Sequence, residues 1–291
     1  MKTIDLELVR SAIVKRIPES NKGTYGSLLA ICGSYSMAGA GVLAGKGALR
    51  CGLGLLKMAV PKSIYPIVAS AIYESVFYPC NENEKGTIIK TETPYLLKKA
   101  NESSAVLIGC GMQNNRDAYF IVNSFLERCT VPIVLDADAL NAICNDLDAL
   151  KSATAPVIIT PHPGEMARLA KLTVSEVQSN REQVALNFAK EYGVYVVLKG
   201  NNTIVATPCG KSFVNTTGNA GMATGGSGDV LAGMISSLLA QNPEKPLECA
   251  CAGVYLHGLA GDIAKEKFGE IPMLPTDLID CIPNAYLNLK I

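Results

Sequence analysis

Residues 105–135 read AVLIGCGMQNNRDAYFIVNSFLERCTVPIVL, and this stretch contains two strand patterns joined by a helix pattern. Short apolar runs predict buried strands at Ala105–Ile108 and Pro132–Leu135, and the segment between them predicts a helix over Arg116–Arg128. Two strands joined by a helical crossover are parallel in a sheet. The stretch therefore predicts an α/β fold.

The same alternation continues on both sides of this unit. Further buried strands are predicted at 28–32, 55–60, 157–160 and 194–198, with helices at 38–51, 139–145 and 165–170. After Leu198 the spacing becomes too short for a crossover, so Lys199–Thr203 predicts a hairpin turn and an antiparallel edge formed by Thr203–Thr207 and Ser212–Asn215. An amphipathic helix is predicted within Met1–Ile17. We expect one domain over residues 1–291, with helices on both faces of a mostly parallel sheet.

The composition argues against several classes of function. Twenty-six basic residues balance 26 acidic ones without a basic run, which argues against binding long nucleic acid or an anionic membrane as a main role. The apolar runs are too short to span a bilayer. Ten cysteines without a Cys-x-x-Cys pair, and only two histidines, indicate reduced thiols and argue against a zinc site. We expect a cytoplasmic protein.

Residues 215–233, NTTGNAGMATGGSGDVLAG, form a glycine-rich loop that leads into an apolar helix. Glycines allow several backbone N–H groups to converge on one point, and the helix adds the positive end of its dipole, so the loop is typical of an anion site. Asp229 would be repelled by a bound phosphate, which suggests that it acts on a proton or a metal ion. The alternative is an acid that only stabilises the first helical turn.

Other motifs also follow predicted strands, where ligands bind in open parallel sheets. In Thr160–Glu165, His162 is a candidate ligand contact and Glu165 a candidate for holding a magnesium-bound water. The alternative is a rigid strand-to-helix turn in which Glu165 is favourably placed in the first helical turn. One of Asp136 and Asp138 is expected to cap a helix. Lys199 is a candidate phosphate contact or simply a solvated lysine, and we expect His257 to be packed rather than to bind a ligand.

Taken together and in this order, these motifs resemble the ADP- or ATP-dependent NAD(P)H-hydrate dehydratase family, which has a ribokinase-like fold. The resemblance spans nearly the whole chain, and the co-occurrence of HPGE with NAG and GSGDVLAG is its most specific part. It implies a three-layer α/β/α fold with a mostly parallel central sheet and an antiparallel edge. It also implies conversion of the hydrates NADHX and NADPHX back to NADH and NADPH at the expense of ADP or ATP.

The resemblance assigns roles to particular residues. Asp229 would be the catalytic base and touch the substrate, while Ala40, Gly111 and His162 would contact the hydrated dinucleotide. Glu165 would help to organise Mg²⁺ through water. The nucleotide would be bound by Lys199, Gly200, Asn201, Asn202, Thr203, Gly225, Gly226, Ser227 and Gly228.

The sequence departs from the family pattern where the family commonly has prolines, at Ala38 and Cys110, and where Ser227 replaces a threonine. The first two changes affect the substrate loops. The resemblance further implies a homotetramer and an epimerase on a separate chain, since little sequence precedes the first strand near Leu28. A small-molecule kinase of the same fold and a nucleotide-sensing protein without turnover are the alternatives. The sequence does not distinguish ADP from ATP.

Overall fold

The computed structural model describes residues 1–290 and has a ten-stranded sheet at its centre, in the order β1-β10-β9-β8-β7-β6-β5-β2-β3-β4. Seven of its neighbouring strand pairs are parallel, whereas β8–β9 and β9–β10 are antiparallel. The strands are β1 Lys2–Thr3, β2 Ser27–Ile31, β3 Leu55–Pro61, β4 Val76–Cys80, β5 Ala105–Ile108, β6 Ile133–Leu135, β7 Val157–Ile159, β8 Tyr195–Leu198, β9 Ile204–Ala206 and β10 Ser212–Val214.

Helices cover both faces of this sheet. They are α1 Leu6–Ser11, α2 Ala38–Arg50, α3 Tyr65–Ala71, α4 Thr93–Asn101, α5 Arg116–Arg128, α6 Asp138–Ile143, α7 Asp148–Lys151, α8 Pro163–Ala170, α9 Val174–Ser179, α10 Arg181–Tyr192, α11 Ser227–Gln241, α12 Pro246–Phe268 and α13 Pro275–Asn288. Short 3₁₀ helices occur at Lys22–Tyr25, Lys90–Glu92 and Ala220–Met222. The three-layer architecture with a mostly parallel sheet and an antiparallel edge is as predicted.

The predicted elements differ from the structure mainly at their ends. The N-terminal helix is shorter than expected: Asp5 caps it, it stops at Ser11, and the preceding Lys2–Thr3 pairs with β10 instead. Strand β4 was not predicted. It is an outer strand with four of its five side chains only partly buried or exposed, and its Pro79 is compatible with that edge position.

Alternate side chains of each central strand enter different cores. Leu28 and Ala30 of β2 pack into one core with α2, α11, α12 and α13, whereas Leu29 and Ile31 pack into the other with α4, α5 and α10. Because both faces are covered, the central strands are apolar throughout, which is why they were recognisable as buried runs.

Helices α2 and α11 approach each other closely through glycines. A Cβ at Gly47 would lie 2.7 Å from the carbonyl oxygen of Val230, and a Cβ at Gly233 would overlap the carbonyl oxygen of Ala44. Only hydrogen atoms fit at these two positions. This contact fixes the N-terminal end of α11, and with it Ser227, beside the sheet.

Two further features agree with the composition. All ten cysteines are free thiols. Among residues 1–290, none of the helices has the length and apolar character needed to cross a membrane.

Gly233→Ala is expected to lower the free energy of unfolding by about 1–3 kcal/mol, because the added methyl group forces α2 and α11 apart. Gly39→Ala in α2 is the matched control, since its Cβ would have no neighbour within 4 Å. We expect the control to be neutral or slightly stabilising. Urea unfolding measures both, and equal stability of the two variants would contradict this account of the helix contact.

Candidate functional site

The centre of the site consists of polar or reactive side chains. They lie at the carboxyl ends of four neighbouring strands. Cys110 follows β5, Asp136 follows β6, Thr160 follows β7 and Lys199 follows β8. These strands are parallel, so their carboxyl ends lie at one edge of the sheet.

A buried ion pair connects two of these strand ends. The Lys199 ammonium lies 2.7 Å from Oδ1 of Asp136, which is only 1% exposed, and 3.8 Å from Oε2 of Glu165. The Thr160 hydroxyl also donates to Oδ1 of Asp136, at 2.6 Å. Burial acts to lower the pKa of Lys199, but Asp136 and Glu165 outweigh it and hold the pKa above its ordinary value. Lys199 therefore remains a cation.

The structure corrects two of the expectations about these residues. Lys199 is not a solvated hairpin lysine. Neither aspartate caps a helix through its side chain, because Ala137 is the N-cap residue of α6. The Asp138 carboxylate instead accepts a hydrogen bond from the backbone N–H of Gln113, at 2.9 Å.

His162 and Glu165 form a capping box at the start of α8. Nδ1 of His162 accepts from the backbone N–H groups of Gly164 and Glu165, at 3.0 and 3.3 Å. Oε2 of Glu165 accepts from the backbone N–H of His162, at 2.7 Å, and Nε2 of His162 lies 3.3 Å from Oε1. Since Nδ1 is an acceptor, the neutral ring carries its proton on Nε2. The structure thus shows a strand-to-helix turn in which Glu165 lies in the first turn of α8.

Asp229 lies in the first turn of α11 and faces the strand ends. One oxygen of its carboxylate, one of Asp136 and the Cys110 sulfur all lie within 4.8 Å of one another. Burial raises the pKa of Asp229 to about 7, and the negative charge of Asp136 adds to this rise. The Cys110 thiol and the Lys199 ammonium oppose it. Asp229 therefore has the protonation equilibrium of a general base near neutral pH.

Two predicted substrate residues lie together near Asp229. Gly111 has a φ of 66°, and a Cβ there would lie 2.7 Å from the Cβ of Ala40. The tight approach of these two loops requires glycine at position 111. Because Cys110 is adjacent to both Gly111 and the Asp229 carboxylate, this small-residue region is continuous with the base.

A cavity of about 800 Å³ opens beside the start of α11. It is lined by His162, by the whole Lys199–Thr203 turn, and by Ser227 and Gly228 at the start of α11. Of the predicted nucleotide residues, Gly225 and Gly226 lie outside its lining. Gly226 is the N-cap residue of α11 with a φ of 100°, so it shapes the loop rather than the cavity wall.

Arg181 holds the Lys199–Thr203 turn from outside. Its guanidinium donates to the carbonyl of Asn201 at 2.6 Å, of Leu198 at 3.0 Å and of Lys199 at 3.2 Å. The opposite cavity wall is also held by side chains that sequence reasoning did not single out as ligands. The Asp262 carboxylate, for example, accepts from the backbone of Gly218 at 2.9 Å and from the Asn219 side chain at 3.0 Å.

His257 is packed, as expected, and it also contributes to the lining of the cavity. It is 8% exposed, and its Nε2 has no hydrogen-bond partner among the described residues. In the sequence, His257 is marked only as a histidine within a helix of small residues. The packing of α12 is what places it at the cavity. Burial lowers the pKa of His257 to about 4, against the opposing effect of the Ser227 backbone.

The buried neutral His257 should make the protein less stable in acid. Between about pH 6.5 and about pH 4 the unfolded chain binds a proton that the folded chain does not, so the free energy of unfolding falls as pH falls across this window, by up to about 1.4 kcal/mol per pH unit. His257→Gln should reduce that slope in urea unfolding. His162→Gln should reduce it less, because His162 has a half-exposed side chain. An unchanged slope in His257→Gln would contradict a neutral buried imidazole.

The chain resembles known proteins along nearly its whole length. The sequence profile of the NAD(P)H-hydrate dehydratase family matches residues 28–284. The ADP-dependent (S)-NAD(P)H-hydrate dehydratase of Neisseria meningitidis is 39% identical over 87% of this chain and 82% of its own length. The crystal structure of the Bacillus subtilis ADP/ATP-dependent NAD(P)H-hydrate dehydratase, co-crystallised with ATP/Mg²⁺, superposes with a TM-score of 0.83 at 31% identity and covers 99% and 98% of the two chains.

Some relatives are longer. The bifunctional NAD(P)H-hydrate repair enzyme Nnr of Moorella thermoacetica is 40% identical over 97% of this chain, which spans 53% of that protein. The Thermofilum pendens enzyme of the same name is likewise matched over about half its length, 52%. The fold, the strand-end site and these matches together lead to one conclusion: the chain belongs to the NAD(P)H-hydrate dehydratase family.

Proposed function

We propose that this chain catalyses the nucleotide-dependent dehydration of hydrated NADH and NADPH, with ADP or ATP as phosphoryl donor. The observation that carries the proposal is the position of Asp229. Its carboxylate, with a pKa of about 7, lies within 4.8 Å of the sulfur of Cys110, the neighbour of Gly111, and Asp229 directly follows the cavity-lining Gly228 in the sequence. A base beside both binding regions suits transfer of a group from one bound molecule to another.

In this reaction the hydrated dihydronicotinamide ring occupies the Ala40 and Gly111 side, and the nucleotide occupies the cavity. Asp229 accepts the proton of the ring hydroxyl while the hydroxyl oxygen forms a bond to the terminal phosphorus of the nucleotide. The bond between that phosphorus and the bridging oxygen breaks in the same step. The products of this step are AMP from ADP, or ADP from ATP, and a phosphorylated ring. Loss of phosphate and of a ring proton then forms the double bond of NADH or NADPH.

The positive groups around Gly228 would stabilise the transferring phosphoryl group. The Lys199 ammonium lies 3.4 Å from the position of a Cβ at Gly228, and the first N–H groups of α11 carry the positive end of the helix dipole. Since Asp136 holds Lys199 in place, its role is to position that cation rather than to touch the substrate.

The residues present also fit Mg²⁺, which prefers carboxylate oxygens and retains several waters. Oxygens of the Asp136 and Asp229 carboxylates face one another within 4.8 Å, and Glu165 is close to both Lys199 and His162. We propose that Asp136 and Glu165 would hold the ion through water beside the phosphates. When bound, it would neutralise charge on the phosphoryl oxygens.

Mixing the protein with hydrated NADH, Mg²⁺ and either ADP or ATP should restore the near-ultraviolet absorbance of reduced nicotinamide. Asp229→Asn should abolish that recovery, since an amide cannot accept the proton, while retaining nucleotide binding. Asp138→Asn is a matched control, because that carboxylate binds the Gln113 backbone beside the site. Full activity in Asp229→Asn would disprove its assignment as the base.

The same assay separates this function from its nearest alternative. A small-molecule kinase would leave a phosphorylated product and no recovered absorbance. Phosphate found on another small alcohol, without restored NADH, would assign the chain to that class.

The rate should also depend on pH through Asp229. Because a base acts when deprotonated, kcat/KM should rise as pH increases through about 7. Lys199→Gln removes a cation that lowers this pKa, so the rising limb should move to higher pH. Lys190→Gln is the control, because Lys190 is exposed on α10 and its replacement removes the same charge. If the pH at which kcat/KM rises is the same in Lys199→Gln as in the unmodified protein, a group other than Asp229 controls the pH dependence.

The choice of ADP or ATP, a tetrameric assembly, a separate epimerase and a cytoplasmic location remain predictions. The domain count over residues 1–291 is likewise part of the proposal.

A further inference from the structure

Two buried polar atoms without partners occur at the same place in the nucleotide cavity. Ser227 is 7% exposed and His257 is 8% exposed, and both line the cavity. Among residues 1–290, neither Oγ of Ser227 nor Nε2 of His257 has a hydrogen-bond partner. A buried polar group without a partner costs about 1–3 kcal/mol, so two such groups on one wall indicate a ligand that supplies the missing partners.

The surroundings of the two atoms favour an anion. Ser227 is the first residue of α11, where backbone N–H groups of the helix lack intrahelical partners. The Lys199 ammonium approaches the same turn at Gly228. Phosphate oxygens accept hydrogen bonds and cannot donate them, so a hydroxyl and an imidazole N–H directed at phosphate would both act as donors.

We propose that His257 is a phosphate-binding residue of this site, which together with Ser227 donates a hydrogen bond to the phosphate chain of the bound nucleotide. The inference rests on the proposed function, because it takes the cavity as the nucleotide site. It adds a residue on α12, far along the chain from the glycine loop and the Lys199–Thr203 turn.

The charge state of His257 supports this role. With a pKa of about 4, the imidazole is neutral throughout the neutral pH range, and Lys199 contributes to that lowering. Besides burial, two groups affect this pKa: the Ser227 backbone raises it and the Lys199 ammonium lowers it. A neutral donor adds a hydrogen bond without adding a second cation next to Lys199. Its contribution to nucleotide affinity should therefore not vary with pH near neutrality.

The test compares the affinities of ADP and adenosine, which differ only in the phosphate chain, by isothermal titration calorimetry. His257→Leu should weaken ADP about tenfold or more, the cost of one hydrogen bond to a charged acceptor, and leave adenosine within about twofold. His257→Gln keeps an N–H donor and should recover much of the ADP affinity. Glu266→Gln, exposed on the same helix, should resemble the unmodified protein.

Kinetics provide a second measurement that a purely structural role would not reproduce. In the repair assay, His257→Leu should raise KM for the nucleotide by a similar factor and change kcat much less. If His257→Leu does not fold, the comparison of ADP with adenosine is made with His257→Ala and with Ser227→Ala, which should each lose ADP affinity selectively.

Three results would overturn the proposal. Unchanged ADP affinity in His257→Leu would show that the imidazole does not contact the nucleotide. Equal weakening of ADP and adenosine would place the contact on the nucleoside or in the protein interior. In either of these two cases, restoration of hydrated NADH by the unmodified protein would show that only this inference fails. If the unmodified protein neither binds ADP or ATP nor restores NADH, the proposed function fails as well.

Discussion

The buried contact between Lys199 and Asp136 is the interaction on which the site depends. It joins the ends of β8 and β6 across β7, whose Thr160 donates to the same carboxylate oxygen. Removing one partner of such a pair leaves an uncompensated buried charge, which typically costs about 3–5 kcal/mol. The arrangement therefore persists only while both residues are present, and it sets the electrostatic field in which Asp229 titrates.

The packing of α2 against α11 supplies the second requirement, because the base must face this ion pair. Gly47 and Gly233 allow the backbones of the two helices to approach each other closely. The first turn of α11 then lies beside the ends of β5 and β6, where Asp229 meets Cys110 and Asp136. Two glycines with no chemical function in the site thus control the distance between the base and the charges that adjust its pKa.

The sequence was sufficient to predict the sheet and the edge where ligands bind, because buried parallel strands are short apolar runs and their carboxyl ends lie together. The Gly-Ser-Gly-Asp loop and the strand-to-helix turn at Thr160–Glu165 were also recognisable as local patterns. The pairing of Lys199 with Asp136 was not, since the two residues are 63 positions apart and only the fold brings them together. His257 was missed for the same reason: its contact with the cavity depends on how α12 packs, not on its neighbours in sequence. Strand β4 was not predicted, because an outer strand lacks the uniform burial that makes the central strands continuous apolar runs.

The turn over Lys199–Thr203 is held by Arg181 entirely through main-chain carbonyl groups. Every residue type carries the same carbonyl, so these contacts do not depend on the side chain of Asn201, which is exposed at the cavity mouth. Asn202 differs, because its φ of 55° is a left-handed conformation that asparagine adopts more readily than most residues. The side chain at position 201 can therefore change without loss of the contacts that hold the turn. The protein separates the part of its nucleotide site that must keep its shape from the part that is free to diversify.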